Sequence, residues 1–169
     1  MVALTSLLRC RRGSSAAEMA LVMPLLTIIL FGSVELGNYF WYQHVVQKGV
    51  RDGARYATRE PVAAYTCPGG GVDSAAATRI KSVTRTGVLA GGTTRVPGWD
   101  DTEVTVSVDC QSGTPAGVYA SGIYSGLPGG ARKVTVSASV PYQSLWADMV
   151  YPAANIKLGA ISQAAVFGI

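Results

Sequence analysis

Arg11-Arg12-Gly13-Ser14-Ser15-Ala16-Ala17-Glu18-Met19-Ala20-Leu21-Val22-Met23-Pro24-Leu25-Leu26-Thr27-Ile28-Ile29-Leu30-Phe31-Gly32-Ser33-Val34 decides the fold. Its second part, Met19 to Val34, carries no charge. As a helix that run rises about 24 Å, slightly short of the roughly 30 Å hydrocarbon core of a bilayer, so Ala16, Ala17 or the residues from Leu36 onward must complete a span. Pro24 is tolerated in a membrane helix at the cost of one hydrogen bond. Arg9, Arg11 and Arg12 on one flank predict a cytoplasmic N-terminus, and Tyr39, Phe40, Trp41 and Tyr42 fall where an aromatic belt at the far interface would sit. A secretory signal also opens with basic and then apolar residues, but it places its small-residue cleavage site after the apolar run. Here the small residues Gly13, Ser14 and Ser15 precede the run, so a cut there leaves the helix attached.

Glu18 stands at the mouth of the apolar run, where an unpaired carboxylate costs several kcal/mol, so it is a candidate functional residue. A snorkelling carboxylate at the interface is the competing reading. Glu35 would sit about 25 Å further along the helix, too far to share a site with Glu18, and reads as a solvated interfacial acid.

Working outward, Tyr39, Tyr42, Val46, Val50, Ala54 and Ala57 recur at helical steps, predicting that residues 38–60 continue the anchor as an amphipathic helix ended by Glu60-Pro61. Arg55 and Arg59 suit the negative end of its dipole, and an Asp52 to Arg55 contact is expected on its solvated face. Asp73 or Ser74 caps a short second helix through Ala77, Ile80 and Val83 to Gly87. Beyond Gly91-Gly92 the period changes to two. Residues 103–109, 131–142 and 157–166 then read as strands, the first with Val104, Val106 and Val108 inward. The expected fold is α+β: a long N-terminal helix, a short second helix and a small antiparallel sheet of three strands. The expected divisions are a basic leader at 1–13, a transmembrane helix at 14–37, the amphipathic continuation at 38–60 and a globular head at 61–169.

With 169 residues, 49% of them hydrophobic and 14% charged, the chain has room for one modest head beside an anchor. The formal charge of +4 is a leader effect: setting aside Arg9, Arg11 and Arg12 from 14 basic residues leaves 11 against 10 acidic ones. The remaining basic residues read as scattered, so no nucleic-acid partner is expected. Cys10 lies in the leader, whereas Cys67 and Cys110 follow the span and are candidates for a disulfide in an oxidising compartment, if their Cα atoms come within bridging range. The loop 112–130, rich in Gly and Pro, is long enough for a binding loop or a disordered one. His44 is the only histidine, Asp100, Asp101 and Glu103 read as an acidic turn, and no HExxH, GxSxG, P-loop or CxxC spacing occurs. No enzyme activity, metal or cofactor is expected.

Arg11-Arg12-Gly13-Ser14-Ser15-Ala16-Ala17-Glu18-Met19 resembles the class III signal of type IV pilins. Together with Phe31-Gly32-Ser33-Val34-Glu35-Leu36-Gly37 and Arg51-Asp52-Gly53-Ala54-Arg55-Tyr56-Ala57, the pattern is similar to TadE-like pseudopilins of the tight-adherence (Flp) pilus machinery. Met19 departs from that pattern, since an aromatic usually follows the glutamate. The resemblance implies that an inner-membrane prepilin peptidase cuts after Gly13, that Ser14 becomes the new N-terminus, and that Glu18 pairs with the freed amine of a neighbouring subunit. It also implies a single-pass inner-membrane location with an exported head, and as partners an assembly platform, an ATPase and other pilin or pseudopilin subunits. The product would be a cleaved subunit that enters or primes a pilus for adhesion or secretion. The alternative is an uncleaved, permanently anchored protein that acts as an assembly or binding factor for the same machinery.

Overall fold

The computed structural model describes residues 14–111, 130–146 and 156–167. The expected leader with Cys10 and Gly13, and residues 112–129 of the expected loop, lie outside them. The chain divides into two units, residues 1–38 and 39–169, taken in turn below.

One helix, α1 (Ser14–Ala57), belongs to both units. Within the first unit every large apolar side chain is exposed, from Met19 at 57% and Leu21 at 80% to Leu36 at 54%. A helix whose large apolar side chains are exposed on all sides matches a hydrocarbon surrounding, not water. Two of its hydroxyls are satisfied within the helix: Thr27 Oγ1 donates to the Met23 carbonyl and Ser33 Oγ to the Leu30 carbonyl, both at 2.8 Å. Such local bonds let a hydroxyl enter hydrocarbon without an orphaned donor. The protein therefore has a candidate membrane-spanning helix near its N-terminus, long and apolar enough for a single pass.

In the second unit α1 buries Val46, Val50, Ala54 and Ala57 along one face. It ends at Ala57, short of the expected Glu60, because Thr58 to Glu60 form a turn that carries the Glu60 side chain inward ahead of Pro61. A 3-10 turn (Val62–Ala64) leads into a short hairpin, β1 (Tyr65–Thr66) and β2 (Gly71–Val72), which the sequence pattern does not announce. Helix α2 (Ser74–Thr86) is capped by Asp73, whose Oδ2 accepts from the Ala75 and Ala76 amides at 3.0 and 3.1 Å. It closes on Gly87 at φ 85°, a left-handed position that a residue with a Cβ would strain to adopt.

Strands β3 (Val104–Gln111), β4 (Ala131–Pro141) and β5 (Lys157–Ala165) form an antiparallel sheet in the order β3-β4-β5. The register places Val104 opposite Ala138, Val108 opposite Val134, and Val140 opposite Leu158, so even-numbered residues of all three strands share one face. That face meets the helices in a core of Val46, Val50, Ile80, Trp99, Val136, Val140 and Leu158. Each such apolar side chain, fully buried, contributes roughly 1.5–3 kcal/mol against the entropy of ordering the chain. The aromatic cluster divides: Tyr39 and Tyr42 pack edge-on against Tyr142 at 5.3 and 6.3 Å, while Phe40 and Trp41 are exposed. Two of the four aromatics expected in an interfacial belt are thus partly spent on the head.

Candidate functional site

Of the residues expected to act in processing and assembly, Gly13 lies outside the described residues, Ser14 opens α1, and Glu18 is exposed one turn later. Four residues apart on a helix, Ser14 and Glu18 share a face about 6 Å apart along the axis. Glu35 is partly buried, less open than the solvated acid that the sequence suggests.

Cys67 and Cys110 are disulfide-bonded, with their Cα atoms 5.7 Å apart. The bond ties the β1–β2 hairpin to β3, and Gly70 of that hairpin comes so close that a Cβ there would lie 3.2 Å from the Val108 carbonyl.

The stretch Gly49 to Glu60 is where the second unit is locked together. A Cβ on Gly49 would lie 2.5 Å from the Thr84 carbonyl oxygen and 2.9 Å from Trp99 Cη2, and one on Gly53 would run into Thr84 Oγ1. Only glycine lets α1 and α2 approach this closely. Asp52 pairs with Arg95 at 2.9 Å, not with Arg55, because Arg95 comes from the loop after α2 and reaches a site that a helical neighbour does not. Glu60, 4% exposed, receives two hydrogen bonds from Arg79, at 2.8 and 2.7 Å. Arg79 holds the Glu60 carboxyl below its ordinary pKa in spite of burial. Burial, then Glu60 itself, raises the Tyr56 hydroxyl. Tyr65, its hydroxyl also raised by burial, donates to the Ala57 carbonyl at 2.6 Å and so satisfies one of the last acceptors of α1. The expected acidic turn is used in the structure: Glu103 Oε2 accepts from the Asp100 amide at 2.7 Å, and Asp101 pairs with Arg85 at 2.8 Å.

On the opposite face of α1 the structure corrects the reading of scattered basic residues. His44, Lys48, Arg51 and Arg55 are all exposed, and their steps of four, three and four place them within about 60° of one another around the helix. Among the described residues no acidic side chain pairs with Lys48, Arg51 or Arg55. Counting charges along the chain hides this stripe. Plotting them on the helix that the apolar periodicity already predicts would have revealed it. The Gly49 and Gly53 contacts had no such signal, since the partner residues Thr84 and Trp99 lie far away in sequence.

Among the described residues no group of three or more His, Cys, Asp or Glu is arranged to hold a metal ion. No curated protein and no solved structure matches the chain. Residues 13–55, which hold the apolar segment, Glu18, Gly49 and Arg51-Asp52-Gly53-Ala54-Arg55, match the model of the TadE-like protein family, the family that the sequence pattern resembles.

Proposed function

We propose that this chain is a single-pass, TadE-like pseudopilin of a tight-adherence pilus system, cut by prepilin peptidase between Gly13 and Ser14 and then assembled with other pilin subunits. The observation that carries the reading is the exposure of every large apolar side chain of residues 19–36 on a helix that continues unbroken into a folded head. Such a helix needs lipid before assembly and neighbouring helices after it. The family match over residues 13–55 supports the pilus connection. The disulfide supports an exported head, since such bonds persist in oxidising compartments and are rare in the cytosol, and three arginines before Gly13 favour a cytoplasmic N-terminus.

Cleavage gives Glu18 its purpose. In the uncut chain Ser14 is an internal residue with no free amine, whereas the cut chain begins with one there. A carboxylate of one subunit then meets the amine of the next, and the desolvation that makes Glu18 unfavourable in isolation favours the pair. Peptidase action thereby converts a stored membrane protein into one that can leave the bilayer beside a neighbour.

Intact mass measurement on protein taken from its native membrane tests this directly. The expected mass is that of a chain beginning at Ser14. A chain still carrying residues 1–13, in cells with an active prepilin peptidase, refutes cleavage and leaves the permanently anchored assembly factor as the function. Gly13→Leu should block processing, and unchanged processing in that variant removes the proposed site.

A further inference from the structure

Strand β5 is the end strand of its sheet among the described residues. Hydrogen bonds from the Val166 amide to the Arg132 carbonyl and from the Tyr142 amide to the Ile156 carbonyl, both 2.9 Å, fix which residues of β5 bond to β4. In an antiparallel pair these alternate, so even-numbered residues turn their N–H and C=O toward β4, while Gly159, Ile161, Gln163 and Ala165 turn theirs to the open edge. Two ties link that edge to α1 and to the turn that follows it. The Gly159 carbonyl accepts from Gln43 Nε2 at 2.7 Å, and beyond the strand the Phe167 amide donates to the Thr58 carbonyl at 3.3 Å.

Helix and strand therefore run side by side between the ties, over about 22 Å and 26 Å respectively. There a groove of about 500 Å³ opens, lined by Gln47 and Arg51 from α1 and by Gly159, Ala160 and Ile161 from β5. Ile161 is 68% exposed and Gln163 is exposed. Among the described residues no hydrogen bond meets the outward backbone groups of either. Arg51 also belongs to the basic stripe with Lys48 and Arg55, and Lys157 stands exposed at the start of the strand.

We infer that this groove receives an extended, acidic segment of a partner protein, added to β5 as a further strand. Alternating donors and acceptors at strand spacing are met in full only by another extended backbone. The cations beside them call for carboxylates on that backbone. A second copy of this chain would bring its own Lys157 and Arg51 to the same edge, like charge against like. An anionic lipid surface would neutralise the cations and leave the backbone row unmet. The inference goes beyond the pilus reading and does not depend on cleavage after Gly13.

Site-resolved hydrogen exchange on the full-length protein in neutral detergent tests it, with a short peptide alternating valine and glutamate as the probe. The Ile161 and Gln163 amides should exchange about tenfold more slowly with this peptide, and should not respond to one with lysine in place of glutamate. Arg51→Glu should abolish the protection. So should Ile161→Pro, which removes an outward N–H and leaves the β4 ladder and the circular dichroism of the protein intact. The inference is overturned if both amides are already slow in the free protein at every concentration, which would mean that the chain covers its own edge. Slowing that grows with protein concentration overturns it in favour of self-association. Equal protection by the lysine peptide, no protection by either, or protection by phosphatidylglycerol vesicles alone also overturns it.

Discussion

Gly49→Ala sets helix propensity and packing against each other, and only one of them can set the sign. In a helix interior, alanine is favoured over glycine by about 1 kcal/mol, so local preference predicts a more stable protein. The new Cβ, however, would sit 2.5 Å from the Thr84 carbonyl oxygen and 2.9 Å from Trp99 Cη2. Neither partner can swing aside: one is helix backbone and the other belongs to a fully buried indole. Overpacking of this kind costs about 1–3 kcal/mol, so near the upper part of that range the net loss is about 1–2 kcal/mol. Gly53→Ala differs in an instructive way, because its Cβ meets Thr84 Oγ1, a side-chain atom that donates to the Ile80 carbonyl at 2.8 Å. Removing that oxygen with Thr84→Ala should rescue Gly53→Ala, with a coupling of about 0.5–3 kcal/mol in the double-mutant cycle. It should not rescue Gly49→Ala, whose obstacle is the main chain. Gly37→Ala, where a Cβ meets nothing within 4 Å, serves as the control. Denaturant unfolding of the full-length protein in detergent, followed through buried Trp99 in a background with Trp41→Phe and Trp146→Phe, reads these differences. A Gly49→Ala protein as stable as the parent, or equal rescue of both glycine variants by Thr84→Ala, refutes the packing argument.

Three further outcomes are expected. Because Arg79 lowers the Glu60 pKa, the unfolded chain takes up this proton at higher pH than the folded one; the contribution is complete above about 4.3 and is lost as pH falls through the folded value. The stability difference between the parent and Glu60→Gln should therefore shrink below about pH 4, and parallel pH curves contradict the pairing. Replacing Cys67 and Cys110 by serine opens a closure 43 residues apart and should cost about 2–4 kcal/mol of unfolding free energy, lost equally when the parent is reduced; equal stabilities show that the bond does not constrain the unfolded chain. Glu18→Gln should be processed after Gly13 normally yet be depleted from sheared fibres, and normal incorporation removes the proposed salt bridge.

The sequence was legible wherever one period dominated. Sixteen uncharged residues, Met19 to Val34, can only be a hydrophobic helix, and alternation through Val104, Val106 and Val108 marked a half-buried strand whose register the structure then fixed against Val134 and Val136. Caps were legible for the same local reason: Asp73 and Gly87 have few other uses at the two ends of a helical pattern. What escaped was long-range. Asp52 has a basic residue three places on, and its true partner Arg95 lies 43 positions away. The hairpin β1–β2 is two residues per strand, too short for any period to appear. The candidate assembly site was legible as a pattern of residues, whereas the groove beside β5 was not, because an open edge is defined by which strand lacks a neighbour.

Arg51-Asp52-Gly53-Ala54-Arg55-Tyr56-Ala57 then separates into two kinds of residue. Asp52 holds Arg95, Gly53 admits Thr84, Ala54 and Ala57 are buried, and Tyr56 adjoins the Glu60 and Arg79 pair. Each of these five serves the fold of the head, and their places on the inner side of the helix follow from that. Arg51 and Arg55 do not: both are exposed and neither is paired among the described residues. A solvated lysine or glutamate would serve a bare helix face as well, and isolated surface charges add little stability. Two guanidiniums one turn apart instead suit carboxylates, and Arg51 lines the groove whose other wall carries Ile161, its outward backbone groups without a hydrogen bond among the described residues. If the groove beside β5 takes an acidic strand as inferred above, the contacts between molecules within this motif fall on the two arginines that the head does not pair.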